Sequence, residues 1–325
     1  MKAIALISGG LDSVLAAKIV QGQGIETILL NFVIPFCNVS NYAGQSAQAL
    51  GLELRKVDIA EDFLEVLKNP RYGFGSNMNP CIDCKILMLR KAAELMKEWG
   101  ASFIVTGEVL GQRPMSQHRQ ALNIIENRSG LEGLILRPLS AKLLDETLPE
   151  KEGWVNRSKL FNLSGRSRKP QIELAKNFRI KDYANPAGGC LLTDAGFAKR
   201  LEDLLTHNEM NIKNIELLKV GRHFRITESA KLAVGRDERE NNLLEKLAEE
   251  DDYLFMPKYT AGPVSLGRGA FNSDLIRLCC AIASRYCDRN GNSKTDIVYR
   301  KQSSNIDSSL SIAPIKELKL KSLRI

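Results

Sequence analysis

The chain has 325 residues, 44% of them hydrophobic and 26% charged, with a formal net charge of +8. That is enough chain for one large or two medium domains with a real core, and the balance excludes a disordered or low-complexity polymer. No stretch is long and apolar enough to span a membrane, and Met1-Lys2 leads into an apolar run without a signal peptide, so a cytoplasmic protein with no membrane partner is expected.

Residues 3–7 are short, apolar and β-compatible, and read as a buried strand. Leu11, Val14, Leu15 and Ile19 then recur at helical spacing until Gly22 and Gly24 stop the pattern. Between the two lies Ser8-Gly-Gly-Leu-Asp-Ser13. A strand, a glycine turn and a helix N-terminus make an anion site. Gly9 and Gly10 let the backbone approach a ligand, the free helix N–H groups point at negative charge, and Ser8 and Ser13 add hydroxyl donors. Asp12 belongs beside a phosphate only if it holds a metal ion or orients the loop. No Gly-Lys-Ser/Thr follows, so the loop is not of the Walker type.

Residues 26–33 read as a second buried strand, whose end, Asn31 and Phe32, would face the nucleotide crevice of an open α/β sheet. A short helix at 46–50, a strand at 53–58 and an amphipathic helix at 61–68 continue the alternation. The pattern predicts an α/β fold with a doubly wound, mostly parallel sheet. A loop at 70–80 leads to Cys81-Ile-Asp-Cys84, and 85–99 is helical. Residues 102–106 form the next strand, with Thr106 and Gly107 at its C-terminal end, where an α-phosphate or ribose should lie. A helix at 120–127, a strand at 134–139, a helix at 171–177 and a turn at 185–190 follow. Between 151 and 190 stand nine basic residues against three acidic ones. This span suits a polyanion such as nucleic acid, with Arg166, Arg168 and Lys169 as contact candidates; a solvated basic face is the plain alternative.

Composition changes near residue 195. Helices at 197–205, 237–250 and 273–286, with short glycine-joined strands after 220, predict a smaller α+β domain over 195–325 behind a first domain over 1–194. The polar stretch 290–305 is expected to be mobile, and 316–323 alternates like an edge strand.

Seven cysteines are too few for a disulfide scaffold at this length. Cys81 and Cys84 open a helix, where the positive helix end is expected to lower their pKa. Cys190, in a Gly-Gly-Cys turn, is the natural third member. Three thiolates suit an iron–sulfur cluster with one open iron, a persulfide–disulfide redox pair, or a zinc site that a His or Asp completes, and the spacing leaves these open. Cys279, Cys280 and Cys287 lie in an apolar helix and read as core. Cys37 lies just beyond the second strand without a motif partner. His118, His207 and His223 share no spacing with each other or with the cysteines.

Ser-Gly-Gly-Leu-Asp-Ser at 8–13, Asn-Pro-Cys-Ile-Asp-Cys-Lys at 79–85, Thr-Gly-Glu at 106–108 and Gly-Gly-Cys at 188–190 occur in one order. Over residues 1–195 the chain resembles the PP-loop ATP pyrophosphatases of the tRNA sulfurtransferase type, both 2-thiouridylases and 4-thiouridine synthetases. The resemblance implies that Ser8, Gly9, Gly10, Asp12 and Ser13 grip the pyrophosphate of ATP, with Asp12 at Mg2+. It implies adenylation of a uridine carbonyl oxygen, with Asp12, Cys81 and Cys190 as catalytic residues. It further implies sulfur insertion and two partners: tRNA, and a sulfur donor, either sulfide or a persulfide-carrying protein. Of the uses the cysteines leave open, ligation of a [4Fe–4S] cluster by Cys81, Cys84 and Cys190 is the one expected. A homodimer is left open. The 4-thiouridine enzymes usually carry an N-terminal THUMP domain, whereas this chain opens on its first strand, so RNA capture is expected elsewhere. Residues 220–225 with 231–244 resemble a small NFACT-R-type RNA-binding module, which makes Arg222, Arg225 and Arg236 phosphate-contact candidates. Two other readings are an adenylating ligase or amidotransferase on another substrate, and an RNA-binding adaptor without activity.

Overall fold

The structure, a computed structural model, describes residues 1–37, 41–181, 183, 190–288, 293–304 and 306–325. The chain divides into two compact units, Met1–Asp194 and Ala195–Ile325. Among the described residues no helix is long and apolar enough to cross a membrane.

In the first unit the chain alternates strand and helix: β1 (Lys2–Leu6), α1 (Leu11–Gln21), β2 (Glu26–Val33), α2 (Tyr42–Leu50), β3 (Leu54–Asp58), α3 (Ala60–Lys68), α4 (Cys81–Glu98), β4 (Phe103–Val105), α5 (Arg119–Ser129), β5 (Ile135–Leu136), α6 (Leu148–Lys151) and α7 (Lys169–Asn177). The described strands form a parallel sheet in the order β3-β2-β1-β4-β5. After β3 the chain crosses to the far side of β1, so the strand order reverses between β1 and β4. In an open α/β sheet the C-terminal ends of strands at such a reversal flank the ligand crevice. The predicted strand over 134–139 shrinks to β5, because Pro138 has no N–H to give a ladder. One face of the sheet is covered by α1, whose Leu11, Val14, Leu15, Ile19 and Val20 are buried, and α7 packs on α1. Of the turn expected at 185–190, residues 185–189 lie outside the described residues.

The second unit holds α8 (Ala195–Thr206), α9 (Ile212–Leu218), β6 (Arg222–Thr227), β7 (Ala230–Val234), α10 (Glu238–Leu247), β8 (Tyr253–Pro257), β9 (Ser265–Gly269), α11 (Ser273–Ser284), β10 (Thr295–Lys301), β11 (Ser308–Ile312) and α12 (Glu317–Leu323). Its described strands form an antiparallel sheet in the order β11-β10-β8-β9-β7-β6. Strand alternation sends Leu232, Val234 and Phe255 to one core, which includes Cys279 and Cys280 of α11. Ala233, Leu254 and Leu266 go to a second core with Leu217 and Leu244. Cys279, Cys280 and Cys287 are thus packing residues.

Two expectations are corrected here. The stretch 290–305 contains β10, in which Thr295 and Ile297 alternate inward, and the strand pairs with both β8 and β11. Its polar composition hides a half-buried strand. Residues 316–323 are helical in α12: Leu320 and Leu323, three apart, meet the core on one helical face, and Leu318 stays exposed.

His223 on β6 is buried, with Nε2 placed to donate to the Val220 carbonyl at 2.8 Å. Burial, with the positive charge of Arg200 and Lys231, holds the imidazole down at about 3. Above about pH 6.5 folded and unfolded chains both keep it neutral. Below that the unfolded chain takes a proton the folded one refuses, so stability falls as pH drops from 6.5 toward 3. The slope approaches about 1.4 kcal/mol per pH unit. His223→Gln is expected to flatten the dependence of denaturation midpoint on pH between 6.5 and about 5, above most carboxylate titration. An unchanged slope contradicts the buried neutral imidazole.

Candidate functional site

The loop between β1 and α1 is shaped by its own hydroxyls. Ser13 Oγ donates to the Gly10 carbonyl at 2.8 Å and sits 3.3 Å from Ser8 Oγ, while the Gly10 N–H reaches Ser8 Oγ at 3.3 Å. Gly9 has φ +75°, and a Cβ there would lie 2.6 Å from Tyr42 Cβ, so the position admits only glycine. No side chain caps α1, so no capping group occupies the N–H donors at its N-terminus; the Ser13 N–H turns back to the Gly10 carbonyl at 3.1 Å. Opposite, Gly107 follows β4 so closely that a Cβ would sit 2.5 Å from the Asp12 carbonyl carbon and the Ser13 nitrogen. The chain leaving β4 therefore meets the first turn of α1 backbone to backbone. Asn31 is buried and donates from Nδ2 to the Ile7 carbonyl at 2.7 Å, and Phe32 is buried beside it on β2. Asn31 thus fastens β2 to the start of the loop.

Asp12 is the charged member of the loop. Its Oδ2 accepts from Gln112 Nε2 at 2.8 Å and lies 3.5 Å from Arg168 Nη2; Gln171 Nε2 in turn donates to Gln112 Oε1 at 3.1 Å. Its Oδ1 is buried without a hydrogen-bond partner. A buried carboxylate oxygen without a donor costs free energy unless a cation meets it, so the position fits Mg2+. Arg168, expected at an RNA surface, instead turns its guanidinium toward the loop, while its neighbours Arg166 and Lys169 are exposed.

A buried ion network joins this loop to the cysteines. Glu108 pairs with Lys85 and with Arg137, whose Nε is 3.0 Å away, and accepts from Thr106 Oγ1 at 3.2 Å. Arg137 also pairs with Glu126 at 2.9 Å. Burial alone would raise the Glu108 carboxyl, but the charges and hydrogen bonds of Lys85 and Arg137 outweigh it and hold it at about 2. Lys85 is the residue after Cys84, and Glu108 the residue after Gly107, so one ion pair links the first turn of α4 to the nucleotide crevice.

The thiols gather from three segments. Cys81 and Cys84 begin α4, and Cys81 Sγ donates to Asn79 Oδ1 at 3.1 Å. Asn77 Nδ2 donates to the Thr193 carbonyl at 2.7 Å, which brings the segment after Cys190 against the loop before α4. Cys37 is paired with Cys190 in an isolated antiparallel bridge. The Cys84 thiol is pushed well up by burial and then by Cys190, Cys37 and Cys81. Burial, then Cys37, pushes Cys190 up to about 12, with Arg113 pulling the other way. The lowering expected for Cys84 from the helix end is overturned, because desolvation exceeds the helix field. Four thiols thus share one partly buried group, though among the described residues no three Cys, His, Asp or Glu side chains are already spaced around a metal position. The sequence pattern shows Cys81, Cys84 and Cys190 but not Cys37, Gln112, Gln171 or the Glu108–Arg137–Glu126 network, because the partners are far apart in the chain and no spacing connects them.

In the second unit the candidate cations have internal partners. Arg225 pairs with Asp203 and with Glu209, the latter at 3.0 Å. Arg222 donates to the Gly235 carbonyl at 2.9 Å and covers the Tyr286 ring at 4.7 Å. Arg236 pairs with Glu240 at 3.2 Å.

The first unit is therefore an α/β domain with a glycine–serine anion loop at its topological switch point and a thiol group tied to that loop. Residues 1–146 match the family model described as thiamine biosynthesis protein (ThiI), and residues 221–324 match that of the NFACT protein RNA binding domain. The first match lies in the α/β unit and the second in the antiparallel-sheet unit. A probable tRNA sulfurtransferase of Methanosarcina mazei is 35% identical over 122 residues, 34% of this chain and 29% of that protein. One of Thermococcus kodakarensis is 30% identical over 150 residues, 42% of this chain and 36% of that protein. The chain thus spans about a third of the length of these curated relatives. A solved 4-thiouridine synthetase–RNA complex with bound ATP is 18% identical, covering 67% of this chain and 52% of that one, with a TM-score of 0.35.

Proposed function

We propose that this chain is an ATP-dependent RNA thiolation enzyme that adenylates a uridine carbonyl oxygen, at position 2 or 4 of the ring, and replaces it with sulfur, with tRNA as substrate. One observation carries the reading: an anion loop with a partnerless Asp12 oxygen is tied, through Gly107, Glu108 and Lys85, to a group of thiols. A kinase or simple hydrolase has no use for that group. The resemblance to relatives named as tRNA sulfurtransferases supports the same reading.

Ser8, Gly9, Gly10 and Ser13 hold the β,γ-pyrophosphate of ATP, and Arg168 adds a positive charge at its edge. Asp12 would hold Mg2+, which when bound draws off charge from the pyrophosphate leaving group. The loop N–H donors face the charge that develops as the uridine oxygen attacks the α-phosphorus. Thr106 and Gly107 line the crevice at the strand end beside it. Two uses of the thiols compete: an iron–sulfur cluster held by Cys81, Cys84 and Cys190 would offer an open iron for sulfide, whereas a persulfide on Cys190 resolved by a second thiol needs no metal. The donor of that sulfur is sulfide or a persulfide-carrying protein. Arg166 and Lys169, exposed in the basic span, and Arg222 in the second unit are the RNA-contact set; Arg225 acts chiefly as a strut between Asp203 and Glu209. The uridine must be unstacked to reach the crevice.

The test is an assay of tRNA-dependent pyrophosphate release. Wild type is expected to release pyrophosphate from ATP only when unmodified tRNA is present. Cys81→Ser and Cys190→Ser are expected to abolish thiouridine formation while pyrophosphate release falls far less. Equal loss of both activities in these variants would contradict the division between loop and thiols. Pyrophosphate release driven by a free carboxylic acid in place of tRNA would favour an adenylating ligase.

A further inference from the structure

Cys37 belongs to no motif, yet it is the thiol the backbone places opposite Cys190. The two form an isolated antiparallel bridge, and the Leu191 N–H donates to the Phe36 carbonyl at 2.8 Å. A bond between residues flanking the pair, rather than between Cys37 and Cys190 themselves, marks a non-hydrogen-bonded pair. In such pairs the Cα atoms stand roughly 4.5 Å apart and the side chains lie closest. That separation falls at the short end of the disulfide range of about 4.4–6.8 Å. The register is set by Phe36, which is fully buried with its ring 5.5 Å from that of Phe63 on α3. The Cys81 thiol, by contrast, is turned to Asn79.

We propose that Cys37 and Cys190 are a dithiol–disulfide pair, in which Cys190 carries sulfur as a persulfide and Cys37 releases it. The assignment rests on the sulfur-transfer reading above and adds the residue that frees the sulfur. The persulfide is loaded onto the Cys190 thiol by a protein or small-molecule persulfide donor. The Cys37 thiolate attacks Cys190 Sγ, forming the Cys37–Cys190 bond. The bond from Cys190 Sγ to the terminal sulfur breaks, and that sulfur leaves with the electron pair as hydrosulfide. The sulfane sulfur is the oxidant: it gains the two electrons that the two cysteine sulfurs lose. Hydrosulfide is thereby released at the thiol group that Lys85 and Glu108 tie to the adenylation crevice. A dithiol reductant returns two electrons and two protons to reopen the pair.

The full chain, isolated and kept under argon, is loaded with inorganic polysulfide, desalted and followed by hydrosulfide release and by mass spectrometry of a non-reducing digest. The expected result is about one hydrosulfide per chain, as the one-to-one exchange requires, and a cross-linked peptide pair containing Cys37 and Cys190. Cys37→Ser is expected to keep the extra sulfur on the Cys190 peptide and to release hydrosulfide at least tenfold more slowly, with Cys37→Ala behaving alike. A wild-type cross-link from Cys190 to Cys81 or Cys84, a chain with no cross-link, or wild-type release from Cys37→Ser overturns the pair. Cross-linking of Cys37 to Cys190 in a chain that forms no thiouridine on tRNA upholds the pair and sinks the tRNA reading instead.

Discussion

Asp12→Asn is expected to reduce tRNA-dependent pyrophosphate release by about 10^2–10^3-fold or more, the scale on which a preorganised electrostatic group acts. Asparagine has nearly the shape of aspartate, and its amide oxygen can still accept from Gln112 Nε2, now 2.8 Å from Oδ2. The fold should therefore survive, and the melting temperature should move little. What disappears is the negative charge at the partnerless Oδ1, the position that suits a cation. A kinetic loss without a stability loss is the expected signature. If pyrophosphate release stays within a few-fold of wild type, Asp12 only orients the loop, and metal placement falls to other residues.

Glu108→Gln is expected to destabilise the first unit by about 3–5 kcal/mol, because it leaves the buried charges of Lys85 and Arg137 without their shared counter-ion. Glu126 still reaches Arg137 at 2.9 Å, so Lys85 is the group left worst off. In a double-mutant cycle, Lys85→Met should recover part of the loss. The sign of the pH effect follows from the same network. The Glu108 carboxyl is held at about 2, so its contribution is full above its ordinary value of 4.5 and is lost as pH falls from there toward 2. Denaturant unfolding at pH 7 measures the first effect, and a variant within about 1 kcal/mol of wild type, the ordinary range for surface substitutions and weaker, would show that the network is not structural. Because the network joins the cysteine helix to the strand end beside Asp12, surviving Glu108→Gln protein should also lose sulfur transfer more than pyrophosphate release.

The parallel sheet and the anion loop were legible because both are local. Apolar runs at 3–7 and 26–33 and the glycine–serine turn between strand and helix each lie within a few residues of one another. The second unit was legible only in class. Its β7–β9 and β8–β10 ladders pair residues distant in sequence, and β10 carries enough Asp, Tyr and Arg to pass for a polar tail. The helix α12 passed for a strand because Leu318 and Leu320 alternate, while only Leu320 and Leu323 share the helical face, over so short a stretch. At the site, the Cys81–Cys84 spacing pointed to sulfur chemistry, while Cys37 enters only through a backbone bridge made across the fold. Arg168 shows the limit of charge counting: it sits in the basic span, yet its guanidinium faces Asp12.

The most direct test of the account is to incubate the full chain under argon with Mg2+, ATP, sulfide or a persulfide donor, and unmodified tRNA, then to digest the RNA and measure its nucleosides by mass spectrometry. Thiouridine that appears with wild type, requires ATP and is absent with Asp12→Asn is the predicted result. Unchanged uridine under every sulfur donor, while ATP is still cleaved to AMP and pyrophosphate, would contradict it and assign the loop to the adenylation of a different substrate.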